Sequence, residues 1–192
     1  MSGIPGFEPV ELERSYLLLN HGPTVLVGSA HAGRRNVMAA AWAMPLDFSP
    51  PKMLVVIDKS VYSRELIEAS GEFTLCVPAR EQAEAVVRVG TDSGRGCDKF
   101  EQAGLRALPA SKIGAPLVAD SLACLECKVV PEPHNQKRYD LFIGEVVAAW
   151  ADPRVFSGNR WHFTDDARRS IHYVAGGTFF ATGQAFSVPT GK

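Results

Sequence analysis

Long apolar runs are missing from this chain. No stretch approaches the roughly 20 residues that a membrane-spanning helix needs, and the acidic segment around Glu8, Glu11 and Glu13 lacks the basic start and apolar core of a secretion signal. The expectation is a cytoplasmic protein with no membrane contact. An excess of one charge is missing too: Lys and Arg number 20 against 21 Asp and Glu, and no basic stripe offers itself to nucleic acid or an anionic membrane. Cysteine is scarce. The four present are too few for a disulfide scaffold and have no clustered partners for a metal, which fits a reducing compartment. Cys124 and Cys127 form a CLEC sequence that imitates a redox or zinc pair, but they lie in a strand-like apolar run, where residues three apart face opposite sides. We read all four, Cys76 and Cys97 included, as structural thiols. Repeats, low-complexity blocks, HExxH and a convincing Ser-His-Asp set or carboxylate pair are also lacking. The SGRG at Ser93 is neither a complete dinucleotide fingerprint nor set in a βαβ unit, which argues against a Rossmann site.

What is present is 46% hydrophobic content in 192 residues, enough for one core and one domain over residues 1–192, with a polar and aromatic arm from about residue 152. Residues 36–66, NVMAAAWAMPLDFSPPKMLVVIDKSVYSREL, organise the rest. Ala39, Ala40 and Ala41 leave the backbone uncovered, so that something flat can lie against it, and Trp42 restores bulk. Pro45, Pro50 and Pro51 bracket a loop, and residues 53–57 read as a buried strand. Asp58, Lys59, Ser60, Tyr62, Ser63 and Arg64 then gather hydroxyls and cations at the start of a helix, where free backbone N–H groups suit an anion.

Strands are expected at residues 24–29, 36–44, 53–57, 73–77, 122–130 and 141–150, with Gly33 turning a hairpin between the first two. Helices are expected at 63–70, closed by Gly71, at 80–89, and briefly at 99–103. The LLL run near residue 18 reads as core or a first strand, and PEPHNQKRYD as a polar connection. Short-interval strands with few helices predict a mainly β antiparallel barrel.

These segments resemble the flavin reductase-like family. The resemblance rests on the NVM-AW-P opening, the PP-strand-turn-S-x-E-L unit, GEF-L-V-P from Gly71, SGR-x-x-DKF from Ser93, APL at Ala115, LECKVV from Leu125 and LFIGEVV from Leu141, all in order across nearly the whole chain. It implies an FMN-binding split β-barrel that works as a homodimer with each flavin near the subunit boundary. The implied flavin contacts are Asn36, Met38, Ala39, Ala40 and Trp42 for the ring and ribityl chain, and Ser60, Ser63, Arg64, Ser93, Gly94 and Lys99 toward the phosphate, with Tyr139 at the ring and Arg95 a weaker candidate. Each has a plainer reading as well. Asn36 can simply start a strand, the alanines can be tight core, the serines and Arg64 can be a solvated helix start, and Lys99 can be a surface lysine. Many relatives carry His two residues before the LFIGEV strand. Tyr139 stands there in this chain and His134 lies further back, so a cationic contact is lost. His172 and Tyr173 are further candidates to cover the ring, or ordinary arm packing.

The chemistry so implied is hydride transfer from NADH or NADPH to FMN and onward donation to a second flavin, a partner monooxygenase or an electron-transfer protein. No catalytic side chain or metal is required, because the cofactor carries the reaction. A flavoredoxin-type electron carrier, reduced by a protein, would share every motif. FMN is expected over FAD, because the turn at residues 60–64 suits a terminal phosphate. Loss of Ser63 or Lys99 is expected to weaken its binding.

Overall fold

The structure, a computed structural model, describes residues 3–189 and Gly191. A short strand, Glu8–Pro9 (β1), leads to a 3-10 helix over Leu12–Leu18, after which Val25–His31 (β2) and Arg34–Ala40 (β3) form a hairpin. Its two turn residues, Ala32 and Gly33, both have positive φ (48° and 76°), the turn whose twist matches paired strands. Ala43–Phe48 (β4) and Pro51–Val56 (β5) make a second hairpin, followed by helix α1 (Tyr62–Ser70), β6 (Glu72–Val77), α2 (Ala83–Thr91) and α3 (Lys99–Gln102). Ala107–Leu108 (β7) pairs with Leu117–Val118 (β8), and then come β9 (Ala123–Val130), α4 (Pro133–Tyr139) and β10 (Leu141–Ala151). The arm holds two small hairpins, Phe156–Ser157 (β11) with Arg160–Trp161 (β12), and Ile171–Ala175 (β13) with Thr178–Ala181 (β14).

The main sheet runs β3-β2-β6-β9-β10-β5-β4, with β1 added beside β10. Its two end strands, β3 and β4, are joined by only Ala41 and Trp42, so the sheet must curl until its edges nearly meet. The result is a split barrel, open along β3 and β4. Alternation along the strands then divides the side chains. Val25, Val27, Phe73, Leu75, Leu125, Cys127 and Phe142 fill the barrel, while Leu26, Cys76, Cys124 and Trp150 face outward under α2 and Phe100. Cys124 and Cys127 therefore do point to opposite faces, and the cysteines are free thiols. Gly144 in β10 admits the Phe73 ring, since a Cβ there would lie 2.4 Å from its Cζ.

Three elements differ from what the sequence suggests. Pro45 lies not in a loop but inside β4, an edge strand with a register shift between Pro45 and Asp47, where a missing N–H costs no ladder bond. The LLL segment ends a 3-10 helix and forms no first strand, while its other reading, as core, holds: Leu18 and Leu19 join the barrel core. PEPHNQKRYD contains a helix, α4, with Pro133 in its first turn and Asp140 at its end in the left-handed region (φ 56°). The arm folds largely onto its own barrel. Trp161 stacks on Phe163 at 5.3 Å and donates Nε1–H to the Leu17 carbonyl at 3.0 Å, and Phe179 packs on the outer core, whereas Tyr173 and Phe180 stay exposed. The buried guanidinium of Arg168 ties the arm down through Asp152, the Asp120 carbonyl and Glu81. Thr24 N–H to Ile171 O (2.8 Å) and Tyr173 N–H to Thr24 Oγ1 (2.8 Å) fasten β13 to the start of β2.

Candidate functional site

A cleft of about 790 Å³ opens where the barrel is split. One wall is the small-residue strip Met38, Ala39, Ala40 and Ala41 with Trp42, and the face of α2 around Val86 and Gly90 forms a second wall packed beside it. These two walls are close because both are small: a Cβ on Gly90 would stand 3.4 Å from that of Ala39. Tyr139 and Asp140 come from the end of α4, Asp58 and Val61 from the turn after β5, and Tyr173 and Phe179 from the arm. Because β3 ends the sheet order, one row of its N–H and C=O groups has no strand partner. An apolar slot lined along one side by backbone donors and acceptors suits a flat heteroaromatic ring.

The polar end of the site centres on Asn36. Its Nδ2 donates to Ser63 Oγ at 3.0 Å, joining β3 to the first turn of α1, while its Oδ1 is buried without a hydrogen-bond partner among the described residues. Gly94 packs directly on this amide, for a Cβ there would collide with Asn36 Oδ1 at 2.1 Å. The start of α1 has no side-chain cap at Val61, so its first N–H groups are open to an anion. Ser60, exposed at this corner, gives both its N–H (2.8 Å) and its hydroxyl (2.6 Å) to Asp58 Oδ1. These bonds, the hydroxyl's first, hold the Asp58 carboxyl below the usual carboxylate range.

The two cations singled out from sequence are engaged elsewhere. Lys99 is buried, and its ammonium caps the C-terminal end of α2 by donating to the carbonyls of Val89 (2.6 Å) and Asp92 (2.9 Å). Burial lowers its pKa. Arg64 is likewise buried and distributes its donors among Glu68 Oε1 (2.7 Å), Ile57 O (3.1 Å), Asp140 Oδ1 (2.5 Å) and Gln136 O (2.7 Å). Neither presents a free donor to a phosphate. The cations that do face the start of α1 are Arg95 and Arg34, which lie over the Tyr62 ring at 5.6 Å and 4.9 Å. Arg95 pairs with Glu65 at 2.5 Å and reaches Ser60 O at 3.4 Å, and Arg34 donates to Arg95 O at 2.9 Å. Both line an open groove of about 870 Å³ together with Gly94. Arg34, just past the β2–β3 turn, is not among the candidates drawn from the sequence.

Of the remaining candidates, Ser93 is exposed and accepts from Arg95 N–H at 3.4 Å. His134 stands outside the cleft, edge-on to Tyr139 at 5.8 Å. His172 anchors the arm through Gly22 O (2.9 Å) and Thr182 Oγ1 (3.2 Å), and it is its neighbour Tyr173 that reaches the cleft. The α2 wall, Val86 and Gly90, was not foreseen, since within an Ala/Val-rich helix these positions look like ordinary core.

Comparison with known proteins agrees with this fold. The crystal structure of an FMN-binding domain of a flavin reductases-like enzyme from Shewanella baltica OS155 superposes with a TM-score of 0.93 at 47% identity, covering 95% of this chain and 97% of that one. Flavoredoxin of Desulfovibrio vulgaris (Miyazaki F) superposes with a TM-score of 0.77 at 26% identity over 87% of this chain and 90% of its own. The uncharacterized protein YddH of Escherichia coli (strain K12) is 44% identical over 181 residues, 93% of this chain and 96% of that protein. The family pattern described as Flavin reductase like domain matches residues 18–170, and with that match and the split barrel the chain belongs to the flavin reductase-like family.

Proposed function

We propose that the protein binds FMN in the cleft and reduces flavin at the expense of NADH or NADPH. The observation that carries this reading is the small-residue strip at residues 38–41, which lines an apolar cleft beside the free edge of β3, with the buried Asn36 two residues before it on the same strand. Asn36 Oδ1 has no partner among the described residues, and a buried acceptor left so costs about 1–3 kcal/mol. The site fits the cofactor by its chemistry: an apolar slot beside free strand edge, then Asn36 and Ser63, then the uncapped start of α1 with the exposed Arg95 beside it for a phosphate. A terminal phosphate at that corner favours FMN over FAD.

FMN supplies the redox chemistry when bound, accepting a hydride from the nicotinamide and passing electrons to an acceptor. The chain's own residues position and shield. The β3 edge and Asn36 fix the ring's orientation, Ala39, Ala40 and Ala41 keep one side thin, and Trp42, Tyr139 and Tyr173 limit water at the mouth while leaving room for a nicotinamide. On this reading the purified protein is expected to carry FMN, with the visible spectrum of a flavoprotein, and to oxidise NADH or NADPH when free flavin is added. FAD alone in the extract, or no nucleotide oxidation, contradicts the reading.

The likeness to flavoredoxin supports a second reading, in which the same bound FMN shuttles electrons from a protein donor. A monooxygenase or an electron-transfer protein then takes or gives the electrons. Under both readings we propose a homodimer. Trp42 (73% exposed), Met44, Leu46 and Phe48 (62% exposed) form an apolar strip along the edge strand β4, continuous with the cleft through Trp42. Such a strip on an unpaired edge invites a second copy, whose approach would also cover the flavin.

A further inference from the structure

We propose that Arg64 is a positioning residue that sets Tyr139 against the flavin ring, and is not a ligand of the phosphate; this rests on the FMN reading above. Tyr139 closes α4 and enters the cleft 59% exposed, with no hydrogen bond of its own to hold it there among the described residues. Its backbone is instead bracketed. Arg64 Nη2 donates to the carbonyl of Gln136, three residues before it, at 2.7 Å, and Nη1 donates to the carboxylate of Asp140, the residue after it, at 2.5 Å. The same Nη1 holds the Ile57 carbonyl at 3.1 Å, while Ile57 N–H returns a bond to Asp140 O at 2.8 Å. The guanidinium also lies over the Phe142 ring at 5.2 Å. One planar fork thus locks the end of β5, the start of α1 and the end of α4 into a single corner.

Without this clamp α4 has little to hold it. It is a seven-residue helix with no buried residue, and Asp140 must sit at φ 56° to end it, an arrangement that persists only where the surroundings enforce it. Arg64 supplies that enforcement from beneath, so it governs the direction in which Tyr139 leaves the corner. The fork is satisfied by protein groups on every side, which leaves the phosphate to the exposed Arg95 and the uncapped turn of α1.

Titration of the apoprotein with FMN and, separately, with riboflavin, read by flavin fluorescence and paired with thermal melts, tests this. Arg64→Ala is expected to weaken FMN and riboflavin by the same factor, about tenfold for a lost charge-assisted network, and to raise the bound-flavin fluorescence toward that of Tyr139→Leu. Arg64→Lys restores part of both, and adding Arg64→Ala to Tyr139→Leu weakens binding no further. If Arg64→Ala is not obtained folded, Asp140→Asn removes one arm of the clamp and is expected to give the same signature in smaller measure. A loss confined to FMN, with riboflavin unaffected, would make Arg64 a phosphate ligand and overturn the proposal. A lower melting temperature with unchanged affinity and fluorescence would reduce it to a fold residue. Failure of the wild type to bind either flavin would overturn the FMN reading itself, and this inference with it.

Discussion

Asn36 on β3 and Ser63 in the first turn of α1 are linked side chain to side chain at 3.0 Å, across 27 residues of sequence, and both are almost completely buried. This bond joins the wall of the slot to the corner where a phosphate would sit. It uses one Asn36 donor within the protein, and the amide oxygen has no partner among the described residues.

Replacing Asn36 with Ala removes that oxygen and frees Ser63, so FMN affinity should fall by about 1–3 kcal/mol, as for one or two hydrogen bonds made to a buried polar group. Ser63→Ala should cost a comparable amount. Fluorescence titration of both variants checks this; unchanged affinity in both would place the flavin elsewhere.

Lys99→Met should lower the melting temperature while leaving FMN affinity within twofold of wild type, since the buried ammonium caps α2 at the Val89 and Asp92 carbonyls and does not line the cleft. The expectation from sequence was the opposite, a phosphate contact. A selective loss of FMN binding with an unchanged melt would restore it.

The difference shows what the sequence could and could not carry. The β2–β3 hairpin followed from Gly33, α1 from its polar start and Gly71, and the opposite facing of Cys124 and Cys127 from strand period, because each is a local rule acting on a few residues. The slot itself was legible as consecutive alanines. Lys99 and Arg64 were not, because a long basic side chain reads the same whether its head meets solvent, phosphate or carbonyl, and only tertiary placement decides. Helix α4 escaped for a different reason: with no buried face it has no apolar period, only Pro133 and a left-handed Asp140 as boundaries. Pro45 suggested a loop because its tolerance on an edge strand depends on which strand lies at the edge, a global fact.

Stability should fall between pH 7 and pH 4.5 through His21. Burial, then the neighbouring His172, lowers its pKa from 6.5 to about 4. The folded state therefore binds fewer protons than the unfolded one between those values, and stability is lost as pH drops below 6.5, by at most about 3 kcal/mol. His21 also meets Ser170 Oγ at 2.9 Å, so the loss loosens the base of the arm. Melting curves of His21→Gln across this range should be flatter than those of wild type; equal slopes would assign the acid sensitivity to other groups.

Phe48→Glu, on the exposed edge of β4 where the ring stands edge-on to Tyr16 (4.8 Å), should leave the barrel folded and convert a dimer to a monomer. Light scattering decides it: a wild-type mass near the 20.8 kDa of one chain refutes the dimer, and a doubled mass that survives Phe48→Glu moves the interface off β4.

The central claim is that the cleft holds an FMN which reduced nicotinamide can reach. Anaerobic mixing of the FMN-loaded protein with NADH, and separately with NADPH, tests it most directly. The account predicts that at least one of them bleaches the visible flavin band completely and faster than it does free FMN; a band that stays oxidised with both, yet bleaches with a reduced electron-transfer protein, would contradict the reductase and leave the electron carrier.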